Sequence, residues 1–501
     1  MKNTPMRICT VLIVLAALLS AVCARAAEDN KTEYLAIMLE GHKIGHAVQT
    51  RTVSDNAVTS TEEMTLTIGR GADPVRMYTR ETSIETLDGK PLSFEMIQKV
   101  SGIEQKRSGR ITPDGKVEIT IEAMGDQRTM TLPYPKGSLM TEGMKLLQEQ
   151  KGLSPGTEYA LKAFRPDMIE LLGAVPIHVR IGEKKTIDLL GRVVEGIEVD
   201  TKMTVGQESF TVTSYIDENQ NVLKSIVPMM GMTLEMLSCD KEFALRQEDV
   251  VDFLSKMTVP CPVELKNPDQ AAAAVYELAP LSEKPLRIPE DDNQKVETLD
   301  NGRCRLTVRP VKVETGFKFP YTGEDPLLLD AIKPSEYLQS DDSKIQDMAR
   351  HAVSGAEDAA RAARQIEAFV AGYITTKDMS VGYASAKEVA QSRQGDCSEH
   401  AVLTAAMCRA VGIPARVVTG LVYAESFAGK NSIFGGHAWT EAWTGEHWIG
   451  LDATRSPNGY GPGHIALARG NGNPTDFFSL VNSFGSFSIE KVTLEKQQAN
   501  P

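Results

Sequence analysis

Between Glu33 and about Lys241 the chain alternates polar and apolar residues in short runs, and most runs end on a turn signal. A two-residue period is what a half-buried strand requires, because successive side chains point to opposite faces of a sheet. Residues 59–68, 76–84 and 116–122 carry it, bounded by signals such as Asp88-Gly89 and Asp114-Gly115. Residues 34–48 read as two strands across a turn at Gly41, and residues 197–205, 208–216 and 222–227 as three more. One helix interrupts at 141–150 and is followed by Gly152 and Pro155. Such a pattern predicts antiparallel β-structure, a curved sheet wrapping a helix, with no catalytic constellation in it. His42 and His46 lie four apart, but Gly41 and Gly45 spoil a helix there, so both read as surface turn residues and not as a metal pair.

The texture changes twice beyond Lys241. Residues 248–323 are β-leaning, with a proline-rich entry at Val259-Pro260-Cys261-Pro262-Val263, strands near 274–277 and 303–313, and a polar loop at Asp291-Asp292-Asn293-Gln294. From Ser335 the spacing is helical. Ile345, Met348, Ala349 and Ala352 share one face, and Ala362, Ile366, Phe369, Val370 and Tyr373 share another. These stripes are core positions. At 501 residues the chain is too long for one core, and roughly three domains are expected. The division read from the sequence is a leader over 1–26, a β-rich domain over 27–247, a small β-leaning linking module over 248–334, an α+β domain over 335–490 and a tail over 491–501.

Hydrophobic content of 42% and charged content of 24% are those of an ordinary globular protein. A net charge of -13 speaks against nucleic acid or an anionic membrane surface as the main partner. Lys2 and Arg7, the 15-residue apolar run 8–22 and the small-x-small site Ala24-Arg25-Ala26 make an export signal, with the mature chain starting at Ala27. The run is too short for a comfortable membrane span, and no second long apolar run follows. Val22 before Cys23 is not a small residue, which disfavours a lipid anchor at Cys23. Cleavage leaves Cys239, Cys261, Cys304, Cys397 and Cys408, an odd set with at least one thiol over, for which Cys397 is the candidate. An exported chain can form disulfides, so Cys239 and Cys261 could bridge, and free buried thiols are an equal alternative.

Chemistry concentrates near Gln394-Gly395-Asp396-Cys397-Ser398-Glu399-His400. Asp396 with Glu399 three residues on forms a capping box, which puts Cys397 at the first helical position. Unpaired N–H groups and the positive end of the helix dipole favour the thiolate there, and the neighbouring Asp396 charge opposes it. A histidine partner would supply the rest. The helix runs to Arg409 and stops at Gly412-Ile413-Pro414; a strand follows over 415–423, a glycine-containing loop over 426–436, and a hairpin over 438–451. The parity of that hairpin decides the site. With Thr444-Gly445 as a two-residue loop, His437 stands directly opposite Asp452; with Gly445-Glu446, Asp452 is a diagonal neighbour on the same face. Only a three-residue loop throws Asp452 to the other face. Two of these three registers put a carboxylate beside the imidazole, the geometry that holds the tautomer and stabilises the imidazolium.

Gly395-Asp396-Cys397, Gly412-Ile413-Pro414-Ala415-Arg416, Gly436-His437-Ala438-Trp439 and Leu451-Asp452-Ala453-Thr454 resemble the motifs of the bacterial transglutaminase-like superfamily, thiol enzymes with a papain-like core. The resemblance covers about 335–470, with four motifs in family order. It implies an α+β fold with a transglutaminase-like domain behind mainly antiparallel β domains, and it implies Cys397 as nucleophile, His437 as general base and acid, and Asp452 as orienter. The family's frequent Asp-Pro-Thr reads Asp452-Ala453-Thr454 here, which leaves the acidic residue in place. The stretch Tyr215-Ile216-Asp217-Glu218-Asn219 is like the β-rich N-terminal parts of some bacterial members.

The expected reaction is acyl transfer on a protein or peptide substrate, through a thioester, with no cofactor and no metal. The Cys397 N–H is one oxyanion donor, and Gln391, six residues before Cys397, is a candidate second whose alternative is a surface helix residue. His400 reads as a helix-surface or supporting residue, His464 as a packing residue near the site, and Trp439, Trp443 and Trp448 as core or cleft walls. Hydrolysis by a peptidase or amidase is the first reading, because no Asp-x-Asp-x-Asp-Gly calcium loop supports a calcium-gated cross-linker. A cross-linking transglutaminase is the second, and a non-catalytic envelope binding or scaffold protein that kept the fold is the third.

Overall fold

A computed structural model describes residues 30–496 except 71–72, 101–102, 124–125, 167–173, 206–207, 230–231, 252–257, 282–285, 313–315, 378–383, 428 and 472–485. The leader expected over 1–26, with Cys23, lies outside the described residues. No helix among the described residues is long and apolar enough to cross a membrane. The chain forms two compact units that divide after Val251.

The first unit is built on one fifteen-stranded sheet. Its first strand, Lys31–Leu39, lies inside the sheet and pairs with His42–Ser54 on one side and with Met232–Cys239 on the other. The chain thus builds one half outwards, crosses through the helix Thr141–Lys151, and returns to close the sheet against its own first strand. That helix has no side-chain cap of its own at Met140. Glu85, from the strand Asp73–Thr86, supplies one: its carboxylate accepts the N–H groups of Glu142 at 2.6 Å and Gly143 at 2.9 Å. Arg51 grips Glu142 with two bonds of 2.9 Å, Nε to Oε2 and Nη2 to Oε1, both side chains buried. His42 and His46 differ from expectation. They lie on a strand, beside Asp249 and Glu248 respectively, because the turn ends at Gly41.

The second unit contains, in chain order, strands β1 (Thr258–Pro260), β2 (Ala273–Pro280), β3 (Gln294–Thr298), β4 (Cys304–Val308), β5 (Ala415–Phe427), β6 (Lys430–Trp443), β7 (Trp448–Leu451), β8 (His464–Gly470) and β9 (Phe487–Glu495). Its helices are α1 (Pro326–Asp330), α2 (Ser343–Ala352), α3 (Ala359–Tyr373), α4 (Ala386–Ser392) and α5 (Cys397–Ala410). One sheet has the order β1-β6-β5-β8, with β7 paired to β6, and the other the order β3-β4-β2-β9. The β-leaning stretch after residue 248 is built into this unit: β1 pairs with β6, and β2 with β9.

Helix α5 packs on β5 and β6 and is flanked by α2, α3 and α4. Every residue from Cys397 to Arg409 is buried, as expected of a helix that carries small and apolar residues on all sides. Ile345, Met348, Ala349, Ile366 and Val370 are buried on α2 and α3, so those stripes are core. Two expectations fail. The loop over 426–436 is largely strand: Gly429 turns with φ +74°, but Gly435 and Gly436 lie inside β6, held between β5 and, at Gly435, Thr258 of β1. The strand expected over 303–313 is confined to Cys304–Val308. All five cysteines after the leader are free, so Cys239 and Cys261 form no bridge. Cys239 instead directs its Sγ to the Tyr34 carbonyl at 3.7 Å.

Removing one partner of a buried ion pair strands the other. Glu142→Ala should cost the full-length chain about 3–5 kcal/mol, measured by urea denaturation of the first unit's transition against the unsubstituted chain.

Candidate functional site

The loop into α5 is set by a glycine. Gly395 has φ +148°, and a Cβ there would fall 2.2 Å from the Glu399 Cβ. The tight approach lets the expected capping box form. Asp396 Oδ1 accepts the Ser398 N–H at 3.0 Å, and Glu399 Oε2 accepts the Asp396 N–H at 3.0 Å. Glu399 Oε1 also accepts the Ala384 N–H at 3.0 Å, so a single buried carboxylate joins the helix start to the chain before α4. Cys397 is the first residue of α5 and is fully buried.

The hairpin has the register in which Asp452 stays on the face of His437. Trp443 pairs with Trp448 and Thr440 with Leu451, which makes Gly445-Glu446 the two-residue connection, with Gly445 at φ +113°. Asp452 follows β7 directly and caps the short 3-10 turn Ala453–Arg455. His437 Nε2 donates to Asp452 Oδ2 at 2.7 Å, with both side chains buried. Asp452 Oδ1 accepts the Thr454 N–H at 3.0 Å, and the Asp452 N–H donates to Glu367 Oε1 of α3 at 2.6 Å. The proton this bond requires on Nε2 leaves Nδ1 of His437 as an acceptor, and Nδ1 has no hydrogen-bond partner among the described residues.

Helix and strand are tied beside these residues. Thr440 of β6 donates Oγ1–H to the Ala401 carbonyl of α5 at 2.9 Å. Thr440 lies three residues from His437, and Ala401 four from Cys397. The structure thus brings His437 and Asp452 into direct contact, and packs the element that starts at Cys397 against the strand that carries His437.

A second histidine ends on the same carboxylate oxygen. His464 of β8 donates Nε2–H to Asp452 Oδ2 at 3.0 Å, and its Nδ1 lies 3.3 Å from Asp269 Oδ1 and 3.0 Å from the Gly461 carbonyl. Burial opposes charge on Asp452, but His437 and His464 outweigh it and hold the carboxyl well below the usual range. The same balance, with His464 and Arg455 as partners, brings Asp269 down to about 2. Burial would lower His464, yet Asp269 and Asp452 raise it. This cluster was not legible in the sequence: no spacing links Asp269, Asp452 and His464, and the pairing of β8 with β5 brings His464 into place.

Other candidates fall away. His400 donates Nδ1–H to the Asp396 carbonyl at 2.6 Å and is driven down to about 4 chiefly by burial, so it is neutral at pH 7 and supports the helix start. Gln391 is exposed on α4, in line with the surface alternative. Trp439 is buried beside His437, with ring centroids 6.2 Å apart, and edges onto His464 at 5.2 Å. Among the described residues, His437, Asp452 and His464 also form the one group placed to take a metal ion. An ion there would break both imidazole–carboxylate hydrogen bonds, of which the His437 bond, at 2.7 Å, has the length of a charge-assisted one.

A helix that starts at a cysteine, packed on a strand whose histidine meets an aspartate, is an arrangement of the papain-like thiol class of folds. Residues 346–453 match the family described as the transglutaminase-like superfamily, so this part of the chain is a transglutaminase-like domain. The match supports a cysteine enzyme in general. No curated protein sequence matches the chain. Among solved structures, a candidate cysteine protease from Cytophaga hutchinsonii is 20% identical, with 46% of this chain and 91% of that one covered and a TM-score of 0.29. A candidate protease from Parabacteroides distasonis is 13% identical over 70% of this chain and 64% of that one, at a TM-score of 0.19. The hypothetical lipoprotein YmcC from Escherichia coli is 12% identical over 48% of this chain and 98% of that one, at a TM-score of 0.17.

Glu399→Ala should strand the Asp396 and Ala384 N–H groups and destabilise the second unit by about 3 kcal/mol, read as a lowered melting temperature. Glu399→Gln, which keeps an acceptor, should lose less.

Proposed function

We propose that the chain is an exported cysteine hydrolase, a peptidase or amidase, that works through Cys397, His437 and Asp452. One observation carries this reading: His437 is held by Asp452 at 2.7 Å through Nε2, while its Nδ1 is left as an acceptor on the strand that packs against the Cys397 helix. Export rests on the charged start, apolar run and cleavage site at 1–26. The substrate is a protein or peptide.

In this mechanism His437 Nδ1 takes the Cys397 proton, and the thiolate attacks a peptide or carboxamide carbonyl. The Cys397 N–H, at the start of α5, steadies the oxyanion. As the C–N bond breaks, the imidazolium returns its proton to the leaving amine or ammonia, and a thioester remains. Water then attacks, His437 takes its proton, and free acid leaves as the thiol is restored. Asp452 keeps the tautomer and offsets the imidazolium charge throughout.

Alkylation by iodoacetamide across pH 4–10 tests the reading. Because Cys397 is buried, the shape of the pH profile, and not the absolute rate, is the readout. A reactive form below pH 7 that is lost in His437→Ala is expected, with the rate at pH 6 falling about 100-fold. A profile like that of an ordinary thiol, indifferent to His437, overturns the proposal. Incubation with a glutamine peptide and a primary amine then identifies the acceptor: free acid alone is expected, and incorporated amine would make the enzyme a cross-linking transglutaminase.

A further inference from the structure

We propose that His464 is a positioning residue for the proposed Cys397–His437–Asp452 site: a fixed buried cation between Asp269 and Asp452 that divides the Asp452 charge between two imidazoles and so tunes the pH dependence of Cys397 reactivity. The inference rests on the functional reading above.

Charge balance assigns the cation. The Asp269 side chain is 4% exposed and that of Asp452 1%, and of the two Arg455 meets Asp269, Nη2 to Oδ2 at 2.7 Å. Two buried carboxylates with one guanidinium leave a negative charge uncompensated, which an apolar interior does not tolerate. His464 is the group that touches both, through Nε2 at 3.0 Å from Asp452 and Nδ1 at 3.3 Å from Asp269, and it is fully buried. His437 touches only Asp452 among these carboxylates. At Nδ1 the Gly461 carbonyl accepts at 3.0 Å and the Gly461 N–H, at 3.3 Å, competes as a donor; the negative charge of Asp269 Oδ1, 3.3 Å away, favours a proton there. Both ring nitrogens then carry hydrogen, and the ring is charged.

The other titratable groups facing the cluster do not replace it. Glu367 of α3 is engaged by the Asp452 N–H and by Arg364. His400 of α5 is neutral, pushed down by burial. Tyr460, whose ring lies 4.9 Å from His464, and Tyr276, which donates to the Pro462 carbonyl, are both driven well above their ordinary values by burial and stay neutral.

The consequence concerns His437. A carboxylate that already neutralises one cation holds a second less strongly than a lone carboxylate does. His464 therefore weakens the grip of Asp452 on the His437 imidazolium. Without the His464 charge, Asp452 acts on His437 alone, and the upper limb of the Cys397 reactivity profile moves up. Asp269 acts through His464: without it the ring gives up its second proton, and the limb moves the same way.

The test uses the full chain. Alkylation profiles are measured with iodoacetate, an anion that a neighbouring imidazolium attracts and whose profile therefore has an upper limb set by His437, for the unsubstituted protein, His464→Gln, which keeps an N–H donor without the charge, and Asp269→Asn. An upward shift of the upper limb by about one pH unit is expected in both, with His437→Ala removing the limb altogether. Folded variants with an unmoved limb overturn the proposal. A second measurement holds even where a variant fails to fold. Imidazole 15N shifts of His464 in the unsubstituted protein should report both nitrogens protonated at pH 8, and a neutral ring at pH 7 overturns the proposal. The failures are distinguishable: a profile without His437 dependence sinks the triad, whereas a His437-dependent profile with a neutral His464 sinks only this inference.

Discussion

Two imidazoles end on one carboxylate oxygen, and much of the second unit is arranged so that this can happen away from water. Asp452 Oδ2 accepts from His437 on β6 and His464 on β8, while its backbone is held by Glu367 on α3. Asp269, from the segment between β1 and β2, closes the far side of His464. Segments far apart in sequence meet around one buried charge. A buried charge that loses a partner costs several kcal/mol, more than the net stability left over from most local interactions. The cluster therefore constrains the order β6-β5-β8 as much as that order positions the cluster. Slipping β8 by one residue against β5 would turn His464 to the other face and leave two carboxylates without a shared cation.

Helix α5 obeys a different constraint. It is buried nearly end to end, so its N-terminal N–H groups cannot be left to solvent. Asp396 and Glu399 satisfy part of this need, and Glu399 does so only because Gly395 leaves space for its side chain. The first unit solves the same problem with a carboxylate from elsewhere: Glu85 reaches in from a strand to cap the helix Thr141–Lys151, which has no capping side chain at Met140.

What could be read from the sequence follows from this contrast. The α5 cap is local, three residues from donor to acceptor, and was legible as a motif. The sequence left three registers open at the β6–β7 connection, because a two-residue period leaves few, and the one found is one of the two that keep Asp452 on the His437 face. The strand alternation of the first unit and the core stripes of α2 and α3 were legible for the same reason. The Glu85 cap, the Asp269–His464 contact and the strand at Gly435-Gly436 were not. Each depends on a partner about 60 to 200 residues away, and no periodicity encodes which distant strand will supply it. Gly435 and Gly436 looked like loop residues because glycine alone favours turns; pairing on both sides at Gly435 overrode that preference.

The two thiols of α5 make position, rather than burial, the variable that matters. Cys397 and Cys408 lie on one helix and are both fully buried. Burial drives the Cys408 thiol up to about 12, with Glu367 adding to the effect. Cys408 sits in the last turn, where the helix dipole also opposes a negative sulfur. Cys397 sits at the opposite end, where the dipole favours the thiolate and the strand bearing His437 packs against the helix. An interior site taken alone would make both thiols inert. In the proposed mechanism the asymmetry of the helix, together with an imidazole whose second nitrogen is held by a carboxylate, gives Cys397 a route to ionise that Cys408 lacks.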